Sequence, residues 1–158
     1  MELVAAKDLW IADRNFCTTD FLFGIARRGG SFVIRQHAST LHWEFVGKRR
    51  ACGRIDTGKV FEQTIRAAND TGEILIQWRV TVLLDQPTRD GETELHLLTN
   101  MPVKDARAKV IADLYRRRWT IETRSKNWRR RSTARSTRWA IPSRPCSPSA
   151  RRWCRTTC

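Results

Sequence analysis

Tyr115, Arg118 and Glu122 stand at offsets 0, 3 and 7 in the stretch YRRRWTIE. A helix advances about 100° per residue, so a helix through this stretch carries all three side chains within about 60° of arc. A phenol, a guanidinium and a carboxylate on one face suit a phosphate and a hard metal ion. The planar guanidinium grips phosphate oxygens, and the carboxylate offers oxygen to the cation. The same spacing also describes a solvated face in which Arg118 and Glu122 pair at i,i+4 for about 0.2–0.5 kcal/mol. A fourth candidate, Asp13, follows the apolar run LWIA. A carboxylate at the carboxyl edge of a strand can coordinate a metal, whereas a strand-end or capping aspartate is the plainer reading.

The elements that must position these groups follow from the hydrophobic pattern. Leu9 to Ala12 reads as a short buried strand, and CTTDFLFGIARRGG as a helix. Asp20 or a preceding threonine caps that helix, Phe21, Leu22 and Ile25 form its apolar face, and Gly29-Gly30 end it. A run of strands comes next: SFVIRQH, a polar hairpin HWEFVGKRRACGRI turning near residues 47–50, KVFEQTIRA, the β-branched GEILIQWRVTVLLD, and TELHLLTN. Asp70-Thr71-Gly72 and Asp90-Gly91 supply turns between them. The last element is a helix over MPVKDARAKVIADLYRRRWTIE, with Pro102 near its start and Ala106, Val110, Leu114 and Ile121 as its apolar stripe.

The chain of 158 residues carries a formal charge of +14. The charge is unevenly spread: residues 1–123 hold 19 basic against 16 acidic side chains, and residues 124–158 hold 11 basic and no acidic ones. The high charge thus belongs to the tail, where it suits either phosphate binding or an unstructured basic segment. Five cysteines (Cys17, Cys52, Cys146, Cys154, Cys158) form no CxxC pair, and His37, His42 and His96 lack metal-ligand spacing. Reduced, incidental thiols are expected rather than disulfides or a zinc site. With no long apolar run and charges within the first ten residues, the expectation is a cytoplasmic protein without a membrane partner.

In their order along the chain, LWIADRNF, GGSFVIRQH, a β-rich insertion, LHLLTNMP and YRRRWTIE together resemble the DDE transposases of bacterial insertion sequences. The group in question is marked by Tyr-x2-Arg-x3-Glu-x6-Lys. The likeness spans residues 1–123, with Tyr115, Arg118 and Glu122 on the first three marker positions and Arg129 on the fourth. It implies an α/β fold: a partial RNase H-like catalytic domain with an antiparallel β-rich insertion, followed by a disordered C-terminal tail. Residues 1–30 would be a strand–helix piece of the core, 31–99 the insertion and a following core strand, 100–123 the catalytic helix, and 124–158 the basic tail.

The resemblance further implies that Asp13 and Glu122 are the second and third catalytic acids and hold two Mg²⁺ or Mn²⁺ ions with a first aspartate. It implies that Tyr115 and Arg118 hold transposon-end DNA, and that a second copy or an intact transposase is a further partner. The first aspartate of such enzymes lies on a strand upstream of the second, and the twelve residues before Asp13 hold no such region. The chain is therefore expected to be an N-terminally truncated fragment of a cut-and-paste DNA transposase, inactive as it stands. The alternative is a non-catalytic DNA-binding or regulatory remnant acting through the basic tail.

The change of character after Glu122 points to a frameshift. Allowed codons for Thr123 to Ser132, read in a shifted frame, spell Ala-Phe-Gln-Glu-Leu-Ala-Glu-Ala-Leu, an amphipathic helical sequence. The single codon of Trp fits at both Trp128 and Trp139, and residues 139–142 yield Gly-Tyr-Pro in the same frame. A genuine basic arm, with tryptophans to stack on bases and arginines for phosphates, is the competing reading. Arg35, His37 and the Lys48-Arg49-Arg50 cluster suit either DNA backbone contact or a solvated hairpin. Trp43 and Trp78 read as core or sheet-face residues.

Overall fold

The computed structural model of the chain describes residues 4–37, 42–125 and 137–140, and for 119–125 and 137–140 it describes the backbone alone. Strand β1 (Asp8–Ala12) is buried along its whole length, as a strand covered on both faces must be. Helix α1 (Thr19–Arg27) follows, with Thr18 extended at its N-cap position and Asp20 in its first turn. Thr18 makes no side-chain capping bond, so Asp20 acts on this end through its charge rather than as the cap. Gly29, at φ 70°, ends the helix and returns the chain to β2 (Ser31–Arg35), which lies parallel to β1.

The next segments build an antiparallel extension of the same sheet. They are β3 (His42–Phe45), β4 (Arg50–Ile55), β5 (Gly58–Ala68), β6 (Ile74–Leu84) and β7 (Glu94–Thr99). The β5–β6 hairpin pairs without interruption from Gly58↔Leu84 to Ala68↔Ile74. Its turn is held by Asn69 Oδ1, which accepts from the amides of Thr71 (3.1 Å) and Glu73 (2.8 Å). The strand order is β3-β5-β6-β7-β2-β1-β8, where β8 (Thr137–Ala140) runs antiparallel to β1. The expected tail thus contributes one described strand, and residues 126–136 and 141–158 lie outside the described residues.

One expected hairpin does not form. β3 and β4 do not pair with each other; both lie antiparallel along the same edge of β5, at Ile65–Ala68 and at Gly58–Glu62. β5 is 11 residues long and offers edge amides and carbonyls for both strands in succession. The connection runs along that edge too: Val46 N donates to the Thr64 carbonyl (3.0 Å) and Gln63 Nε2 to that of Gly47 (2.7 Å).

The closing helix, α2 (Ala108–Ser125), begins six residues after Pro102. The proline opens a separate turn, in which the Asp105 and Ala106 amides donate to its carbonyl. The buried face of α2 is Ala108, Ile111, Ala112 and Tyr115, whereas Val110 is 49% exposed. The stripe expected from the larger apolar residues was therefore rotated: the alanines let the helix approach the sheet closely, and Val110 and Leu114 fall on its flank.

The two helices sandwich the sheet. Leu9, Ile11, Val33, Trp78, Val80 and Leu97 face α2. Trp10, Ala12, Phe32, Ile34, Ile65 and Leu98 face the side of α1, where Leu22, Phe23 and Ile25 meet them. The alternation along β1 (9 and 11 one way, 10 and 12 the other) is the period-2 geometry of a strand. No helix among the described residues is long and apolar enough to cross a membrane.

Candidate active site

Because β1 and β2 are parallel, their carboxyl ends reach the same edge of the sheet, delivering Asp13 and the segment Arg35–His37 there. β7 is antiparallel to β2 and brings its first residues, Glu94 and His96, to that edge, with Gln36 N donating to the His96 carbonyl at 2.8 Å.

Asp13 is half-buried and extended (φ −81°, ψ 171°), and it caps the short helical turn Arg14–Phe16. Its Oδ1 accepts from Arg14 N at 2.7 Å and from the Tyr115 hydroxyl at 3.4 Å. Oδ2 has no hydrogen-bond partner among the described residues. The aspartate thus caps with one oxygen and leaves the other open among the described residues. Asp8, at the opposite end of β1, is buried and accepts from Ala5 N at 2.7 Å, so it serves a local turn.

Tyr115 is only 4% exposed, and its ring belongs to the core between α2 and the sheet. Its hydroxyl ties the helix to the end of β1, a role that spacing alone did not reveal. Tyr115→Phe is expected to lower stability by about 0.5–1.5 kcal/mol, read from urea unfolding, because the ring stays packed and one hydrogen bond is lost. Arg118 is half-buried one turn further on. Glu122 lies in the last turns of α2 within about 20° of the Tyr115 direction, and its side chain lies outside the described residues. The two intervening arginines are otherwise engaged. Asp113 accepts from Arg116 (2.7 Å) and Arg117 (2.8 Å), and Arg116 also approaches Asp56 at 3.4 Å. Those hydrogen bonds, the one from Arg116 foremost, hold the Asp113 carboxyl below its ordinary range. Of the three consecutive arginines, Arg118 alone shares the Tyr115–Glu122 face.

Beside Asp13 the sheet edge opens into a cavity of about 430 Å³. Arg14, Arg35 and Arg79 line it together with Glu92, Glu94 and His96. Arg35 is paired with Glu92, and Arg14 reaches the same carboxylate at 3.8 Å. Arg79, from β6, lies over the rings of Trp43 (5.3 Å) and Phe45 (5.8 Å) on β3. Sequence reasoning had named Arg35 and His37 here but missed Arg79, His96 and Glu92. These come from separate elements, and no local spacing joins them. The Lys48-Arg49-Arg50 cluster is divided: Arg49 stacks on Phe61 (4.2 Å), while Lys48 and Arg50 line a different cleft beside Trp78.

Burial, and next the nearby Arg79, push the His96 imidazole down to about 4. Although Glu94 lies 3.4 Å from its Nε2, the ring is neutral at pH 7, and Thr81 Oγ1 sits 3.2 Å from Nδ1. Its folded value lies below its unfolded one, so between about pH 6.5 and about pH 4 the unfolded chain binds the extra proton. Stability from this group is complete above that window and declines as the pH falls through it, by at most roughly 3 kcal/mol. Urea midpoints at about pH 7 and about pH 4.5 should differ less for His96→Gln than for the unmodified chain. An equal difference would show that His96 does not drive the loss.

Among the described residues, no three or more His, Cys, Asp or Glu side chains gather as a metal cage. Cys17 is buried and Cys52 half-buried. Burial, and then Glu62, push the Cys52 thiol up to about 11, so it is not a thiolate near neutral pH.

A parallel strand ending in an open carboxylate, tied to a helix that carries arginine and glutamate on one face, suits phosphodiester chemistry. A family model described as a transposase DDE domain matches residues 2–141, and the chain belongs to that family. No curated protein matches it.

Proposed function

We propose that this chain is the portion of a cut-and-paste DNA transposase that carries the second and third metal-binding acids, Asp13 and Glu122. The observation that carries the reading is the open Oδ2 of Asp13 at the carboxyl end of β1, beside the helix that bears Glu122. A hard carboxylate oxygen with no hydrogen bond of its own fits Mg²⁺ or Mn²⁺. When bound, a pair of such ions would supply a water or DNA 3′-hydroxyl activated for in-line displacement at phosphorus. Asp13 and Glu122 would hold the ions, the Tyr115 hydroxyl would fix the Asp13 carboxylate, and Arg118 would grip a phosphate of the transposon end.

A polypeptide of residues 1–158 alone supplies two of the three acids, and we expect it to perform no strand transfer. Incubating it with transposon-end duplex and Mg²⁺ tests this: uncut DNA is expected, and metal-dependent cleavage would overturn it.

The segmentation at residues 30, 99 and 123, pairing with a second copy or an intact transposase, and a frameshift after Glu122 belong to the same reading. The family match runs on to residue 141, and the nucleotide sequence of the locus decides the frame. A helix-rich transposase end in the shifted frame would support the frameshift; early stops there would make the tail genuine.

The second reading, a DNA-binding regulatory remnant, is favoured by the 11 basic and no acidic residues of 124–158. Salt-sensitive binding with no preference for transposon ends would be generic attraction; end-selective binding would support a regulator.

A further inference from the structure

Arg79 is half-buried on β6, and no carboxylate lies within ion-pair distance of it among the described residues. Its Nε is fully buried and has no hydrogen-bond partner among the described residues. Of the two acids of the cavity, Glu92 is taken by Arg35 and Arg14, and Glu94 acts on Arg79 only through its charge, from beyond ion-pair distance. Desolvating a guanidinium without a counter-charge is unfavourable, and the Trp43 and Phe45 rings offset only part of it at 5.3 and 5.8 Å. The fork thus lies over two aromatic rings, has no ion-paired carboxylate among the described residues, and lines the same cavity as Arg14, the residue next to Asp13.

We propose that Arg79, positioned by Trp43 and Phe45, is an anchor for a backbone phosphate of the DNA strand whose scissile bond lies at Asp13. The inference rests on the transposase reading and adds to it a binding residue outside the Asp13–α2 constellation. A phosphodiester suits the site because its oxygens match the planar guanidinium fork. The lining sets Arg14, Arg35 and Arg79 against Glu92 and Glu94, which leaves positive charge in excess and favours an anion. His96 is neutral near pH 7, so the positive charge of the cavity is that of its arginines.

The test is fluorescence anisotropy of a labelled duplex of arbitrary sequence, titrated with the whole chain at several salt concentrations. Arg79→Gln should weaken binding about tenfold and reduce the slope of log affinity against log salt by about one. Arg89→Gln, in the exposed β6–β7 connection, should leave both unchanged. All variants carry the same basic tail, so its contribution cancels between them. Equal slopes for Arg79→Gln and the unmodified chain would overturn the anchor and leave the transposase reading standing. Failure of the unmodified chain to bind duplex at low salt would overturn both. Should Arg79→Gln not fold, phenylglyoxal modification of the unmodified chain gives the answer. DNA is expected to protect Arg79 and not Arg89, and equal modification with and without DNA would overturn the anchor.

Discussion

Trp78→Ala is expected to destabilise the chain by about 3–5 kcal/mol. The indole is nearly fully buried on the α2 face of the sheet, against Val80, Met101 and the helix. Its Nε1 donates to the Met101 carbonyl at 2.6 Å. Truncation leaves a cavity the size of the ring and strands a buried carbonyl at the point where β7 hands the chain on toward α2. Trp78→Phe separates these effects, because it keeps most of the packing and removes the bond, so a loss of roughly 1–3 kcal/mol is expected. Urea denaturation of the three proteins measures both. A loss below 1 kcal/mol for Trp78→Ala would mean that the seat of α2 does not depend on this residue.

Gly58→Ala should be as damaging for a different reason. A Cβ at this position would lie 1.8 Å from the Leu83 carbonyl oxygen and 2.7 Å from its carbon. Both are backbone atoms of the paired strand β6, and no side-chain rotation relieves the clash. The first β5–β6 pairs must separate, and with them the tight β4–β5 connection at Asp56-Thr57, where Ile55 pairs with Gly58. Arg116 of α2 reaches Asp56 across this connection, so the disturbance reaches the helix that carries Tyr115 and Arg118. A loss of roughly 3–5 kcal/mol is expected, within the range of severe backbone and overpacking substitutions. Thermal unfolding by circular dichroism gives the answer, and a melting temperature equal to that of the unmodified chain would contradict the close approach.

How far the sequence discloses such a fold depends on what fixes each element. β1, α1, β2, β5, β6 and β7 are legible because burial imposes a period on the chain and glycines punctuate it. Gly72 and Gly91 both adopt φ of 80°, as their turns require. β3 and β4 are mostly exposed, so no buried face fixes whether they pair with each other or with β5. The start of α2 was misplaced because Pro102 suits a turn as well as a helix N-terminus. Its buried face was misread because close packing selects Ala108 and Ala112, which carry little hydrophobic signal.

The candidate site divides in the same way. Asp13 is legible as a carboxylate closing a buried strand, and Tyr115, Arg118 and Glu122 as one helix face. That Tyr115 turns inward to Asp13, rather than outward, depends on where the sheet lies and cannot be read from spacing. The Arg79–Trp43–Phe45 group joins strands 36 residues apart along the chain, and only the β3–β5–β6 pairing brings them together.

On the proposed function, Asp13 and Glu122 form one side of a divalent-metal site. Addition of Mn²⁺ to the ¹⁵N-labelled chain, followed by amide spectra, tests it most directly, because the paramagnetic ion broadens only nearby resonances. The amides around Asp13 and Glu122 should broaden first and together, and Asp13→Asn should abolish the effect at both. Broadening centred on Glu92 and Glu94, or spread evenly over the chain, would contradict the account.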